Sequence, residues 1–335
     1  MRLKNIINKL AGILLSYNLA ISPVQSASFN NEISNEQYKN SESDLNHSPQ
    51  TSGILTFEEL EQSVDKDGYN IAYLTQPHKI GLIKNIEEYI KNNTISEEKM
   101  CDELKNEESV ILADIHCFSK QREKMIEILK KIKRENLVVG LEIFSVEIQE
   151  HIDNYFNSKI SLENLISRTR YTQGEMLRKY GYLRLLKFLK ENNIKTLGID
   201  MPSAITRELI TDKYAGVSVK LYSGFDFFNR DLSAAGVISG NLSRGKNIII
   251  IIGSAHAEKS HLPYMIEKTT SKKPVIVFQM PYRLSKSANP VEEYERFKRL
   301  GLGRGKVLKV NDEYKQFYLN IEPNLKEMED YIKFQ

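Results

Sequence analysis

Two histidines and three carboxylates stand at the ends of apolar runs in this 335-residue chain. Asp114 and His116 close the run that begins at Ser109. Glu142 sits inside Leu137–Ile143. Asp200 ends Lys195–Ile199, and His256 follows Asn247–Ile252 and Gly253. Imidazole and carboxylate together form the donor set of a divalent metal site, or an acid/base pair acting on a bound ligand. Asp114, His116, Glu142 and His256 are the candidate metal ligands. His116, Glu142, His256 and Arg230 are the candidate catalytic groups, with Arg230 placed to hold a carboxylate or an oxyanion. Each residue also has a structural reading. Asp114 could cap the following helix. Glu142 could pair with Arg230, and Asp200 could set the turn at Met201-Pro202. Four similar strand ends favour one shared site over four separate accidents.

The elements that must position these residues are legible from periodicity. Asn247–Ile252 is short, β-branched and unbroken by polar residues, as expected of a strand buried on both faces of a parallel sheet. Ser109–Asp114, Leu137–Ile143, Lys195–Ile199 and Pro274–Met280 read in the same way. Glu142 is conspicuous there, because an unpaired buried carboxylate is costly. Met125, Ile128, Leu129 and Ile132 predict a helix over Lys120–Asn136. Helices are expected over 94–104, between Val146 and Asn192, from Ala204 to Ser239, and over Leu262–Lys268. Strand alternating with helix implies an α/β fold with a mainly parallel central sheet and helices on both faces. In open sheets of this kind the ligand crevice lies outside the carboxyl ends of the strands. The long inserts before and after Lys195–Ile199 are expected to supply helices forming a lid over those ends. A short hairpin is expected over Tyr69–Ile83, a Gly-rich bend at Gly301–Gly305, and an edge strand around Phe317–Ile321.

The remaining features concern domains and compartment. Residues 1–27 read as a signal peptide, with Arg2, Lys4 and Lys9 before an apolar stretch and small residues at Ser26 and Ala27. Residues 28–53 are polar and read as a disordered linker, leaving 54–335 as the folded domain. Export to the periplasm, the cell envelope or the medium is therefore expected. No later segment has the length and hydropathy of a transmembrane span. Without Arg2, Lys4 and Lys9 the basic and acidic residues balance at 44 each, which argues against a nucleic-acid partner. Cys101 and Cys117 flank a strand and are expected to be free, buried thiols.

The ordered motifs resemble the ChaN-like haem-binding-uptake family of the Tiki, TraB and erythromycin-esterase superfamily. The matching stretches are Leu112-Ala113-Asp114-Ile115-His116, Glu142-Ile143-Phe144 with Gln149, Asp200-Met201-Pro202, Arg230-Asp231, and Gly253-Ser254-Ala255-His256. Ala113 and Asp114 depart from the family's Gly and Glu. The resemblance implies haem binding and a role in haem or iron uptake, with haem or a divalent metal as cofactor. It is compatible with haem held between the subunits of a homodimer. Tyr171, Tyr180 and Tyr182, near Arg170, Arg178 and Arg184, are then the candidate cofactor-binding residues, because haem iron accepts Tyr or His. Tiki-like relatives imply instead a metal-dependent protease acting on a peptide, and esterase relatives a metal-free hydrolase of a small molecule. Both would use His116, Glu142 and His256. A secreted effector acting on a host partner is a further reading. Haem or metal binding is placed ahead of hydrolysis.

Overall fold

The computed structural model describes residues 86–169, 171–202, 223–259, 261–280, 290–311, 313–324 and 326–327. The expected signal peptide, linker and Tyr69–Ile83 hairpin lie outside them, as do residues 203–222 of the Ala204–Ser239 helices. In chain order the elements are α1 (Ile86–Asn93), β1 (Thr94–Ser96), α2 (Glu97–Leu104), β2 (Ser109–Asp114), α3 (Ser119–Ile132) and β3 (Leu137–Ser145). A 3-10 turn, Val146–Ile148, leads into α4 (Gln149–Phe156), α5 (Leu162–Ile166), α6 (Tyr171–Lys179), α7 (Tyr182–Glu191) and β4 (Lys195–Asp200). Then come α8 (Ser223–Leu242), β5 (Asn247–Gly253), α9 (Leu262–Thr270), β6 (Val275–Met280), α10 (Pro290–Arg299), β7 (Lys306–Asn311) and β8 (Lys315–Asn320).

One eight-stranded sheet runs β1-β7-β8-β6-β2-β5-β3-β4. From β8 to β4 every pairing is parallel, and β7 is antiparallel to both β8 and β1. The fold is therefore α/β with a mainly parallel sheet, as the strand–helix alternation requires. Side chains alternate between two cores. Val110 and Leu112 join one with Ile249, Ile251 and the inward faces of α3, α4 and α7. Ile111 and Ala113 join the other with Ile250, Ile252 and helices α8 and α9. Continuous burial on both faces explains why β2, β3 and β5 contain almost no polar residues.

The differences from the sequence reading are local. Thr94–Ser96 is a short strand, and the helix begins only at Glu97, where Ser96 accepts from the Lys99 N–H. The expected edge strand near Phe317 is an inner strand, β8, because Lys306–Asn311 forms a hairpin outside it. Helix α10 was not expected, although Val291, Tyr294 and Phe297 recur at three-residue spacing along it. No helix among the described residues is long and apolar enough to cross a membrane. Cys101 and Cys117 are free and buried, and burial pushes their thiols up to about 11 and about 12.

Candidate functional site

Four adjacent strands, β2, β5, β3 and β4, deliver their C-terminal ends to one place. Register pairs Asp114 with Gly253, and the Ser254 N–H donates to the Asp114 carbonyl at 2.7 Å. Between β3 and β4 the register slips. Leu141 lies opposite Gly198, but Ser145 lies opposite Asp200. The bulge at 142–144 re-aims the strand end, and Ile143 and Phe144 both enter the same core. Gly198 makes the close approach feasible, since a Cβ there would meet the Ser145 carbonyl oxygen at 2.4 Å.

Glu142 is the hub. Its Oε2 accepts from the Gly253 N–H at 2.6 Å and lies 3.3 Å from His116 Nε2. Its Oε1 accepts from Arg230 and lies 3.2 Å from His256 Nε2. Both histidines thus turn Nε2 to one carboxylate, and each is held at Nδ1 by another. His256 Nδ1 is 2.5 Å from Asp231 Oδ1. His116 Nδ1 is 2.9 Å from Asp114 Oδ1 and 2.9 Å from the Tyr182 hydroxyl. Arg230 spans Glu142 and Asp200, its Nε donating to Asp200 Oδ1 at 2.7 Å. A carboxylate on the far nitrogen fixes ring orientation and raises basicity, for a catalytic histidine as for a metal ligand.

The electrostatics follow from this pairing. Burial alone would lower the His256 pKa, but Asp231 and Glu142 push it up to about 9. Burial opposes His116 in the same way, and the Tyr182 oxygen, Asp114 and Glu142 hold it well above the usual imidazole value. Burial would raise Glu142, yet His256, Arg230 and His116 hold its carboxyl well below the ordinary range. Asp231 and Asp114 are lowered against burial as well, Asp231 by His256 and Asp114 by Arg122 and His116. The His116 side chain keeps 30 % exposure and Arg230 21 %, whereas Glu142 keeps 6 % and His256 3 %. The network reaches the surface at His116 and Arg230.

The structure thus brings together Asp114, His116, Glu142, Arg230 and His256. It also brings in three groups that the sequence reading assigned no role. Asp231 holds His256, and its Oδ2 lies 3.3 Å from Nδ1 of the buried His261. Arg122 is fully buried. It pairs with Asp114 and donates to the carbonyls of Ile115, Phe118 and Tyr180, which pins the loop that carries His116. Its guanidinium lies over the Tyr182 ring, 4.8 Å from the centroid. The signal for Arg122 was its spacing of three and seven residues from Met125 and Leu129, which puts it on the apolar face of α3. The structural readings hold beside the joint one: Glu142 does pair with Arg230, and Asp200 does accept from the Met201 N–H at 2.8 Å.

Tyr182 and Tyr180 are buried. The Tyr182 hydroxyl donates to Asp114 Oδ2 at 3.2 Å and meets His116; the Tyr180 carbonyl accepts from Arg122. Tyr171 opens α6, and its side chain lies outside the described residues. In this arrangement the Tyr182 oxygen faces His116 and Asp114 rather than an open coordination position. The metal set fares similarly. Among the described residues no group of three or more His, Cys, Asp or Glu is arranged to hold a metal ion. Each Glu142 oxygen faces two partners, Oε1 Arg230 and His256, and Oε2 the Gly253 N–H and His116, so in this geometry the carboxylate is engaged by the protein's own groups.

Part of the chain is similar to a known family. Residues 100–221 match the model of the family described as haem-binding uptake, Tiki superfamily, ChaN. No curated protein matches. Solved structures similar to the chain include ChaN of Campylobacter jejuni with cofacially bound haem, at 17 % identity and a TM-score of 0.42, covering 58 % of this chain and 90 % of that one. The type III effector HopBA1 matches at 11 % identity and TM-score 0.38, covering 67 % and 92 %. Pasteurella multocida toxin, whose C-terminal region has a thiol-protease-like triad, matches at 13 % and 0.32, covering 59 % and 26 %.

Proposed function

We propose, for a chain whose residues 100–221 are ChaN-like, that the strand-end network is an acid–base centre that hydrolyses an ester or a related acyl compound. One observation carries this: two histidines, each oriented at Nδ1 by a buried carboxylate, direct Nε2 to opposite oxygens of Glu142. His116 is the member that reaches solvent. Once the network gives up one proton, its Nε2 takes the proton of an attacking water. Asp114 and Tyr182 hold its far nitrogen during that step, and Glu142 stabilises the imidazolium that forms. Arg230, also partly exposed, offers positive charge to the developing oxyanion. His256 anchors Glu142 from the buried side. The test is hydrolysis of 4-nitrophenyl butyrate by residues 54–335 between pH 7 and 10, with and without chelator. Turnover insensitive to chelator and lowered at least about 10³-fold in His116→Ala is expected. Absence of turnover in the parent protein, or full turnover in His116→Ala, overturns the reading.

The family match favours a second reading, haem binding. It carries with it export by residues 1–27, a tether over 28–53, a folded domain over 54–335, and a role in haem or iron uptake, with pairing of two copies around haem. Tyr171, Tyr180 and Tyr182 are its cofactor residues. A saturable Soret shift on haemin titration, weakened in Tyr171→Phe or Tyr180→Phe, supports it; unchanged spectra in both variants reject those ligands.

A further inference from the structure

Asp200 ends β4 at the same edge, and only one of its oxygens is used. Oδ1 accepts from the Met201 N–H and from Arg230 Nε. Oδ2 is shielded from solvent and has no hydrogen-bond partner among the described residues, on a side chain that is 1 % exposed. Other atoms of this network without a hydrogen bond still face an opposite charge, as His256 Nε2 does at 3.2 Å from Glu142 and His261 Nδ1 at 3.3 Å from Asp231. Asp114 Oδ1 has His116 Nδ1 at 2.9 Å, while Gln279 and Asn320 place their amide nitrogens on the backbone carbonyls of Ala113 and Tyr294. A shielded acceptor without a donor is unfavourable, and at the carboxyl end of a strand it is a candidate position for a ligand's donor. The position is well defined, because one guanidinium joins Asp200 to Glu142.

We propose that Asp200 Oδ2 accepts a hydrogen bond from a hydroxyl group of the ligand, so that the site selects neutral, hydroxyl-bearing acyl compounds. The inference rests on the reading of this edge as the reaction site. The charge of Asp200 is already matched by Arg230. An ammonium group would therefore stand beside a guanidinium without a negative charge left to balance it. A hydroxyl supplies the missing donor and brings no charge. Arg230 and His116, the two partly exposed members of the network, are the side from which such a ligand enters.

The experiment compares 4-nitrophenyl butyrate with its 2-, 3- and 4-hydroxy derivatives in kcat/KM. In parallel the corresponding butyramide and hydroxybutyramides, which resist hydrolysis, are titrated by calorimetry. At least one hydroxy compound is expected to be favoured about tenfold or more over the parent, as for a hydrogen bond to a charged group. In Asp200→Asn the amide oxygen can keep both Oδ1 contacts while an N–H replaces the open acceptor. The preference should then fall to about one or invert; Asp200→Ser serves as a second variant should the first fold poorly. Equal turnover of all the esters overturns the inference and leaves the hydrolase reading standing. No turnover, with preferential binding of a hydroxyamide that Asp200→Asn abolishes, overturns the hydrolase reading and upholds the inference. Absence of both turnover and binding overturns both.

Discussion

Gly253→Ala separates the role of the Gly-x-x-His glycine from ordinary backbone needs. A Cβ at this position would stand 3.0 Å from His116 Nε2, 3.3 Å from Glu142 Oε2 and 3.4 Å from His116 Cε1. Gly253 is not among the positive-φ glycines, so alanine meets no backbone penalty. It gains about 0.4–1 kcal/mol through the unfolded chain. The imidazole must retreat by a few tenths of an ångström. Because Asp114 and Tyr182 hold Nδ1, the retreat is a pivot that lengthens the 3.3 Å contact between Nε2 and Glu142. The ring is partly exposed, so that contact is worth no more than about 1 kcal/mol. The two contributions nearly cancel, and Tm should move by less than about 4 °C. Chemistry is less forgiving. A misplacement of about 1 Å costs about 100-fold, so a few tenths should lower kcat/KM about tenfold. With Glu142 further away, the His116 titration should also move down. Calorimetry, ester hydrolysis and proton resonances of the imidazole across pH measure the three quantities. Unchanged turnover together with an unchanged His116 titration would refute the reasoning. A fall in Tm of more than about 10 °C would show that the glycine serves the fold instead.

Stability should depend on pH in two opposite ways. The His256 pKa is raised from 6.5 to about 9, so its contribution, on the order of 3 kcal/mol, is complete below pH 6.5 and lost as pH climbs to about 9. Glu142 and Asp231 are depressed below 4.5 and 3.8; their contribution is present above those values and is lost as pH falls further. Denaturant unfolding should therefore give maximal stability between about pH 5 and 6.5, and a maximum near pH 9 would contradict the pairing. The same raised histidines put the acid limb of kcat/KM above pH 6.5. Arg122→Lys should cost about 3–5 kcal/mol, or roughly 10 °C in Tm, because one ammonium cannot serve Asp114 and three carbonyls from a fully buried position; a change under about 2 °C would show that the arginine is dispensable. Gly198→Ala forces a Cβ to 2.4 Å from the Ser145 oxygen and 3.0 Å from that of Phe144. Both are backbone atoms of the bulge, so the strand must shift and carry Glu142 with it. Loss of turnover with at least about 1 kcal/mol of destabilisation is expected, and parent-like kinetics would separate the bulge from the site.

The inner strands were legible because a parallel sheet covered on both sides leaves little choice of residue. Ile248–Ile252 and Val110–Ala113 show it directly. Glu142 was legible for the opposite reason, as a charge where the pattern allows none. Asp231 was not. It neighbours Arg230 in sequence, yet the two serve different partners: Arg230 reaches Glu142 and Asp200, while Asp231 reaches His256 and His261. Nothing in local periodicity assigns a helical carboxylate to a histidine 25 residues away. Gln121 and Arg122 were missed for a related reason. They extend the apolar face of α3 into its first turn, where polar side chains are buried because they satisfy the backbone of the loop after β2. The hairpin of β7 and β8 was half seen, since alternation marks a strand without telling which neighbour it will find.

The charges at this edge explain why its histidines should be working groups. Asp114, Glu142, Asp200 and Asp231 are all buried within the network. Arg122 and Arg230 neutralise two of them permanently. Glu142 shares Arg230 with Asp200, and the rest of the compensation comes from His116 and His256, each lying between a pair of carboxylates. A protein seeking stability alone would place fixed cations or apolar side chains here, since buried ion pairs are often replaced at little cost. Assigning half of the compensation to imidazoles makes the net charge of the site titratable. Removing one proton leaves an uncompensated negative charge in a shielded place, and that charge raises the avidity of the deprotonated ring for a proton. The result is a strong base held next to a fixed cation, Arg230, at the carboxyl ends of the strands. A resting ion-pair cluster has no need of the first property, whereas proton abstraction from water beside a polarised carbonyl needs both.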